Sequence, residues 1–107
     1  MAQRLHYELI YDPEVWNHLL KIERKYHSLI RLEIERQLPY QPELETKNRK
    51  PLLRPSVFGS AWELRFGPKN RFRVFYRADR EFRKVYILAV GVKIKGRLYV
   101  GGKEFEL

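Results

Sequence analysis

Two arginines and a glutamate near the middle of the chain have the spacing with the clearest chemical use. Between residues 62 and 77, Glu63, Arg65 and Arg73 alternate with apolar residues. Side chains two residues apart lie on the same face of a β-strand, so these charges are expected to share one face of a sheet. Arginine stays cationic and binds phosphate through a planar fork of N–H groups. The pattern therefore predicts a sheet face that meets a polyanion.

The same alternation predicts how two strands pair. Residues 62–66 and 71–77 read as strands, joined by a turn at residues 67–70. A shared core face requires these pairs: Trp62 with Tyr76, Leu64 with Val74, and Phe66 with Phe72. Arg65 then lies directly opposite Arg73 on the other face. Like charges in that position repel, so folding alone gives no reason for them.

Phe75 shares the predicted charged face, where it either stacks on a nucleic-acid base or packs under another segment. No metal-spaced histidine pair, phosphate-binding glycine loop or Ser-His-Asp set is visible, so we expect neither a metal nor a cofactor. The absence of cysteine excludes disulfides, thiolate nucleophiles and cysteine zinc sites. The histidines are expected to be surface or packing residues: His6, His18 and His27.

Charge is unevenly distributed along this 107-residue chain, whose length predicts a single domain spanning residues 1–107. The net charge is +9, but residues 47–97 alone carry 15 basic and 3 acidic residues. Such concentration favours nucleic acid as a partner, with a solvated basic face as the alternative. No targeting segment or membrane-spanning run is visible, so we expect a cytoplasmic protein without a membrane partner.

The elements before this region read as a strand followed by helix. Residues 4–11 alternate, and Asp12-Pro13-Glu14 then predicts a helix start with Asp12 as the N-cap. Apolar residues at helical spacing continue to Leu38, either in one rod or in a helical hairpin that breaks near residues 25–28. Residues 39–60 read as a long connection that is either a basic binding loop or a solvated crossing.

Two further elements are predicted after the central strands. Residues 84–93 are apolar on both faces, which indicates an interior strand. A two-residue turn at Gly101-Gly102 would close a terminal hairpin that pairs Leu98 with Phe105 and Tyr99 with Glu104.

The chain resembles the RelE/ParE superfamily of toxins from type II toxin-antitoxin systems. The resemblance rests on the order of elements and on three segments: Trp-Glu-Leu-Arg, Arg-Phe-Arg-Val-Phe-Tyr, and Val-Tyr-Ile-Leu-Ala-Val-Gly-Val-Lys. It implies an α+β domain in which two N-terminal helices, as a helical hairpin, pack on one face of a small, largely antiparallel sheet. RelE-like members cleave messenger RNA on the ribosome without a metal. The implied partners are a cognate antitoxin, the ribosome and mRNA.

The resemblance also implies site residues. Arg65, Arg73, Lys93 and Tyr99 match catalytic positions, while Glu63 stands where a typical member has a basic residue. Glu63 is either a general base or a charge partner of the two arginines. The candidate RNA-binding residues are Lys47, Arg49, Lys50, Arg71, Phe75, Arg77 and Lys95. The alternative functions are inhibition of DNA gyrase, as in ParE-like toxins, and RNA binding without catalysis.

Overall fold

The fold is organised around one long central strand. The computed structural model describes residues 6–106. Its elements, in chain order, are β1 (Glu8–Tyr11), α1 (Glu14–Leu20), a short 3-10 helix (Arg24–Tyr26), α2 (His27–Gln37), β2 (Arg49–Pro51), β3 (Trp62–Phe66), a 3-10 turn (Pro68–Asn70), β4 (Phe72–Asp79), β5 (Lys84–Ile94), β6 (Arg97–Val100) and β7 (Lys103–Phe105).

The strands form one sheet of seven, in the order β2-β3-β4-β5-β6-β7, with β1 added on β5. Strand β4 runs antiparallel to β5 along one edge of that strand. On its other edge, the first half of β5 pairs with β1 in parallel, and the second half pairs with β6 antiparallel. The predicted interior strand and largely antiparallel sheet are both confirmed.

The helices lie between β1 and β2, so the expectation of two N-terminal helices is wrong in their position along the chain. The start of α1 is capped as predicted, because the Asp12 carboxylate accepts the Glu14 N–H at 2.9 Å. The helical run breaks over Lys21–Glu23, slightly earlier than the weak helix formers suggested. Of the strand predicted over residues 4–11, the structure describes β1 from Glu8; residues 1–5 lie outside the described part.

The main core lies between the helices and one face of the sheet, which we call the helix face. The predicted pairing of β3 with β4 is confirmed at every position from Trp62↔Tyr76 to Phe66↔Phe72. Helical residues Val15, Ile30 and Ile34 are buried against these strands. Trp62 is half-buried and stacks on Tyr76 with ring centroids 6.4 Å apart. The opposite side of the sheet, the open face, carries Glu63, Arg65 and Arg73.

The long connection contains a strand that its sequence does not suggest. Arg49–Pro51 forms β2 at the sheet edge and pairs with β3, although Arg-Lys-Pro shows no alternation. Proline is tolerated there because an edge strand leaves one row of N–H groups unpaired. Tyr76 anchors the start of the connection, since its hydroxyl donates to the Pro42 carbonyl at 2.6 Å. The terminal hairpin has the predicted register, with Leu98↔Phe105 and Tyr99↔Glu104.

Candidate functional site

Glu63, Arg65 and Arg73 form a cluster on the open face, which we call the arginine–glutamate cluster. The Nε of Arg65 donates to Glu63 Oε1 at 2.6 Å, and Nη1 of Arg73 donates to Glu63 Oε2 at 3.4 Å. Arg65 and Arg73 face each other across the β3–β4 ladder, as predicted. The carboxylate therefore lies between the two cations, and it offsets the repulsion that the bare register implied.

The three side chains differ strongly in their access to solvent. The Glu63 side chain is 1% exposed, that of Arg73 is 10% exposed, and that of Arg65 is 38% exposed. The Nε of Arg73 also donates to the Asn70 carbonyl at 2.9 Å, which fixes this guanidinium from a second side. Arg65 is thus the member that can meet a ligand with free N–H groups. Glu63, which Arg73 fixes in turn, holds it in place.

Lys93 joins this face one strand further along the sheet. Arg73 pairs with Gly91 on β5, and Lys93 lies two residues beyond Gly91, on the same side. It is half-buried beside a shallow groove at the β6–β7 end of the sheet. Lys93 therefore adds a cation to the open face, one strand beyond Arg73.

Tyr99 does not belong to the cluster, and the expectation that it extends the cationic patch is wrong. It pairs with Val92, which in turn pairs with Phe72 on the helix face. Because alternation fixes the side, Tyr99 lies on the face opposite to Arg65 and Arg73. A two-residue turn at Lys95-Gly96 would have predicted this, since it aligns Ile94 with Arg97 and Val92 with Tyr99.

Phe75 is fully buried, so its prediction as a base-stacking residue is wrong. It lies on the open face as expected, but a second small core forms over it from Ala89, Leu98 and Val100. Phe58 from the long connection covers this core, with its ring centroid 5.8 Å from that of Phe75. The alternative interpretation, packing under another segment, is the correct one.

Arg49 has a structural contact in place of the predicted RNA-binding role. Its Nη1 donates to the carbonyl oxygen of Gln37, the last residue of α2, at 3.3 Å, and to those of Tyr40 at 2.7 Å and Gln41 at 2.8 Å just beyond the helix. A cation at this position satisfies the free carbonyls and complements the negative end of the helix dipole. The Arg49 side chain extends toward the helices because Arg49 pairs with Leu64, and Leu64 lies on the helix face.

Of the remaining RNA-binding candidates, Lys50 lies beside the cluster. It pairs with Glu63 across the β2–β3 ladder, on the open face, and its ammonium lies 3.5 Å from the Glu45 carboxylate. Lys47 is exposed in the long connection. Arg71 and Arg77 lie over aromatic rings, those of Tyr26 and Tyr86 respectively. Lys95 is exposed in the β5–β6 turn, where its φ is +51°.

His18 carries a contact that its sequence did not signal. β1 leaves β5 after Ile87 and β6 joins it at Gly91, so the β5 edge is open between them. Helix α1 fills this gap, and His18 Nδ1 accepts the Val90 N–H at 3.3 Å. Burial lowers the pKa of His18, against the opposing effect of the Glu14 and Asp12 carboxylates, and this favours the neutral ring that accepts the hydrogen bond.

Within residues 6–106, no three His, Asp or Glu side chains are grouped so that they could hold a metal ion. None of the helices in that range has the length and apolarity needed to cross a membrane.

Comparison with known proteins gives a likeness in structure. Neither a protein-family model nor a curated protein matches the sequence. The fold matches a chain in the crystal structure of the toxin-antitoxin complex RelBE2 from Mycobacterium tuberculosis, with a TM-score of 0.61 and 24% identity over 80% of this chain and 96% of that chain. At this identity the likeness establishes the fold, and the α+β architecture expected from the resemblance to RelE is thereby confirmed.

Proposed function

We propose that this chain is the toxin of a toxin-antitoxin pair and that it cleaves messenger RNA on the ribosome without a metal. The observation that carries the proposal is the arginine–glutamate cluster, in which a buried carboxylate holds two arginines together on the open face. The fold shared with a chain of a toxin-antitoxin complex supports it, as does the basic charge of residues 47–97.

The two arginines suit the charge that develops during RNA cleavage. When a ribose 2′-oxygen attacks the adjacent phosphorus, the pentavalent phosphorane carries more negative charge than the starting diester. Arg65 has one N–H committed to Glu63 and is 38% exposed, so the rest of its guanidinium is available to phosphate oxygens. Arg73, held from two sides, keeps positive charge directly behind it.

Proton transfer assigns different roles to Glu63 and Lys93. Glu63 is buried and already accepts from both arginines, so we assign it the positioning role and not that of general base. Lys93 lies on the same face and carries a proton that it can give to the leaving 5′-oxygen. The proton of the 2′-hydroxyl passes to solvent water in this scheme.

RNA binding without cleavage is the second candidate. The burial of Glu63 supports it, because a carboxylate that is 1% exposed cannot accept the 2′-hydroxyl proton, and the cluster then offers no carboxylate base for cleavage. In this alternative, the open face would hold RNA through Arg65 and Lys93 but would leave the transcript intact.

Cleavage of ribosome-bound message by the purified chain tests the proposal. We expect cleavage by the parent and a loss of about a hundredfold in Arg65→Ala, the scale for one preorganised transition-state donor. Arg80→Ala is the matched control, because Arg80 is an exposed arginine of the same basic region, paired with Glu43 at 3.2 Å. An intact transcript with retained RNA binding would support the second candidate, and inhibition of DNA gyrase with normal translation would refute both.

A further inference from the structure

A cavity of about 250 Å³ opens on the helix face where α1 ends, and we call it the tyrosine pocket. Tyr26 and Tyr99 line it on two sides, and Phe72, Val90 and Val92 contribute its apolar part. The helical layer leaves this area uncovered because α1 ends at Leu20 and the next helical turn begins at Arg24.

Positive charge lies around an otherwise apolar cavity. Lys21 and Arg71 both line it, and the Arg71 guanidinium lies 5.8 Å above the Tyr26 ring. The one carboxylate in the lining, that of Glu23, lies 3.7 Å from the Lys25 ammonium. The pocket therefore combines apolar walls with a net positive rim, which suits an apolar group flanked by acids.

Exposed apolar side chains continue from the pocket along α1. Ile94, in the lining, is 51% exposed, and Trp16 and Leu20 on α1 are 66% and 60% exposed. A second cavity that contains Trp16 and Leu20 shares Lys21 and Glu23 with the tyrosine pocket. Contiguous exposed apolar surface with a polar rim is typical of a site that binds another protein.

We propose that the tyrosine pocket receives an apolar side chain from an acidic segment of a partner protein, the antitoxin. This inference rests on the proposed function for the identity of the partner, since an antitoxin is what a toxin would bind. Its site lies on the opposite side of the sheet from the arginine–glutamate cluster. An antitoxin segment docked in this pocket would bind the toxin without occupying the arginine–glutamate cluster.

The chemistry of the walls favours a peptide over RNA. A nucleobase taken out of water needs hydrogen-bond partners for its edge, and the aliphatic residues Ile22, Val90 and Val92 offer none. The polar side chains that the lining does supply are mainly donors, those of Tyr26, Tyr99, Lys21 and Arg71, and these suit the carboxylates of an acidic peptide. The Nδ1 of His18, also in the lining, already accepts the Val90 N–H. A leucine-sized side chain needs no such partner.

Titration of the isotope-labelled full chain with a synthetic peptide tests the proposal. The probe is a capped heptapeptide with one central leucine and six glutamates, and its control replaces the leucine with alanine. We expect the leucine peptide to shift the NMR amide signals of Ile94, Tyr99 and Gly101 at millimolar concentration. Arg71→Glu should weaken this binding about tenfold by charge reversal, while Arg54→Glu, an exposed arginine outside the pocket with the same charge change, should not.

Several outcomes would overturn the proposal. Unshifted signals in the pocket, equal binding of the alanine peptide, or equal weakening in Arg54→Glu would each do so. A short uridine-rich RNA that shifts the same three amides more strongly than the peptide would assign the pocket to RNA. None of these measurements requires activity, so failure of the proposed function would be seen separately, as an intact transcript in the cleavage assay.

Discussion

The carboxylate of Glu63 and the guanidinium of Arg73 meet diagonally across the β3–β4 ladder, with 3.4 Å between Oε2 and Nη1. Both side chains are nearly inaccessible to solvent. Breaking such a buried pair by neutralising one partner leaves the other charge without compensation. The cluster is therefore part of the framework of the sheet as well as a candidate site.

Neutralising Glu63 should destabilise the protein. In Glu63→Gln, Arg73 keeps its buried charge and faces Arg65 directly, so we expect the free energy of unfolding to fall by about 2 to 3 kcal/mol. This loss is smaller than the usual loss on breaking a buried ion pair, because one of the two arginines, Arg65, remains partly solvated. Urea denaturation measures the change. Glu45→Gln, which removes the charge of an exposed pair with Lys50, should stay within about 0.5 kcal/mol of the parent; equal losses would contradict the account.

Arg49 and Lys47 should behave differently although they are two residues apart in one basic segment. Arg49→Ala removes the guanidinium that satisfies the Tyr40 and Gln41 carbonyls just beyond α2, and we expect it to lower the free energy of unfolding by about 2 kcal/mol. Lys47→Ala, at an exposed position, should cost less than about 0.5 kcal/mol. Thermal denaturation of both variants checks this. A weakened RNA affinity with unchanged stability in Arg49→Ala would restore its original interpretation as a binding residue.

Phe58 should stabilise the second core from within an irregular segment. Its ring lies 5.0 Å from that of Phe105 and 5.8 Å from that of Phe75, measured between centroids. Phe58→Ala should therefore lower the free energy of unfolding by about 2 to 3 kcal/mol. The neighbouring Val57 is 74% exposed and serves as the control, with little change expected in Val57→Ala. Similar stability of the two variants would show that the segment is not docked on Phe75.

Stability should depend on pH through His18. Its folded-state pKa lies below 6.5, so protonation favours the unfolded chain. The contribution is present above pH 6.5 and is lost as the pH falls from 6.5 through the folded-state pKa. Urea denaturation at pH 8 and at pH 5, compared between the parent and His18→Gln, isolates this contribution. An equal loss of stability in both proteins on acidification would show that His18 does not carry it.

Local alternation was sufficient to predict the central and terminal hairpins. In the β3–β4 hairpin, the apolar residues Leu64, Phe66 and Val74 share one face in only one register that has a short turn. In the β6–β7 hairpin, Gly101-Gly102 identifies the turn. In these hairpins, partners lie close in the chain, so side-chain period and turn chemistry are enough to align them.

The environment of the site residues could not be predicted in the same way. The burial of Phe75 depends on Phe58, which comes from a segment with no periodicity. The contacts of Arg49 depend on where α2 ends relative to the sheet edge, which is a tertiary relationship. The sequence is consistent with Glu63 as a general base and with Glu63 as a charge partner of the arginines. Only its burial between Arg65 and Arg73 distinguishes these two roles.

The division of one β5 edge between β1 and β6 has a consequence for the order of folding. Glu8 near the N-terminus pairs with Lys84, so β1 has no strand partner until most of the chain has been synthesised. Contacts between residues this far apart in sequence form slowly, because the entropic cost of closing a long loop precedes the favourable energy of the contact. A nascent chain whose β5 is still inside the ribosome therefore lacks a completed sheet. We expect the folded domain, with both faces of that sheet assembled, to arise only once Lys84–Ile94 has emerged.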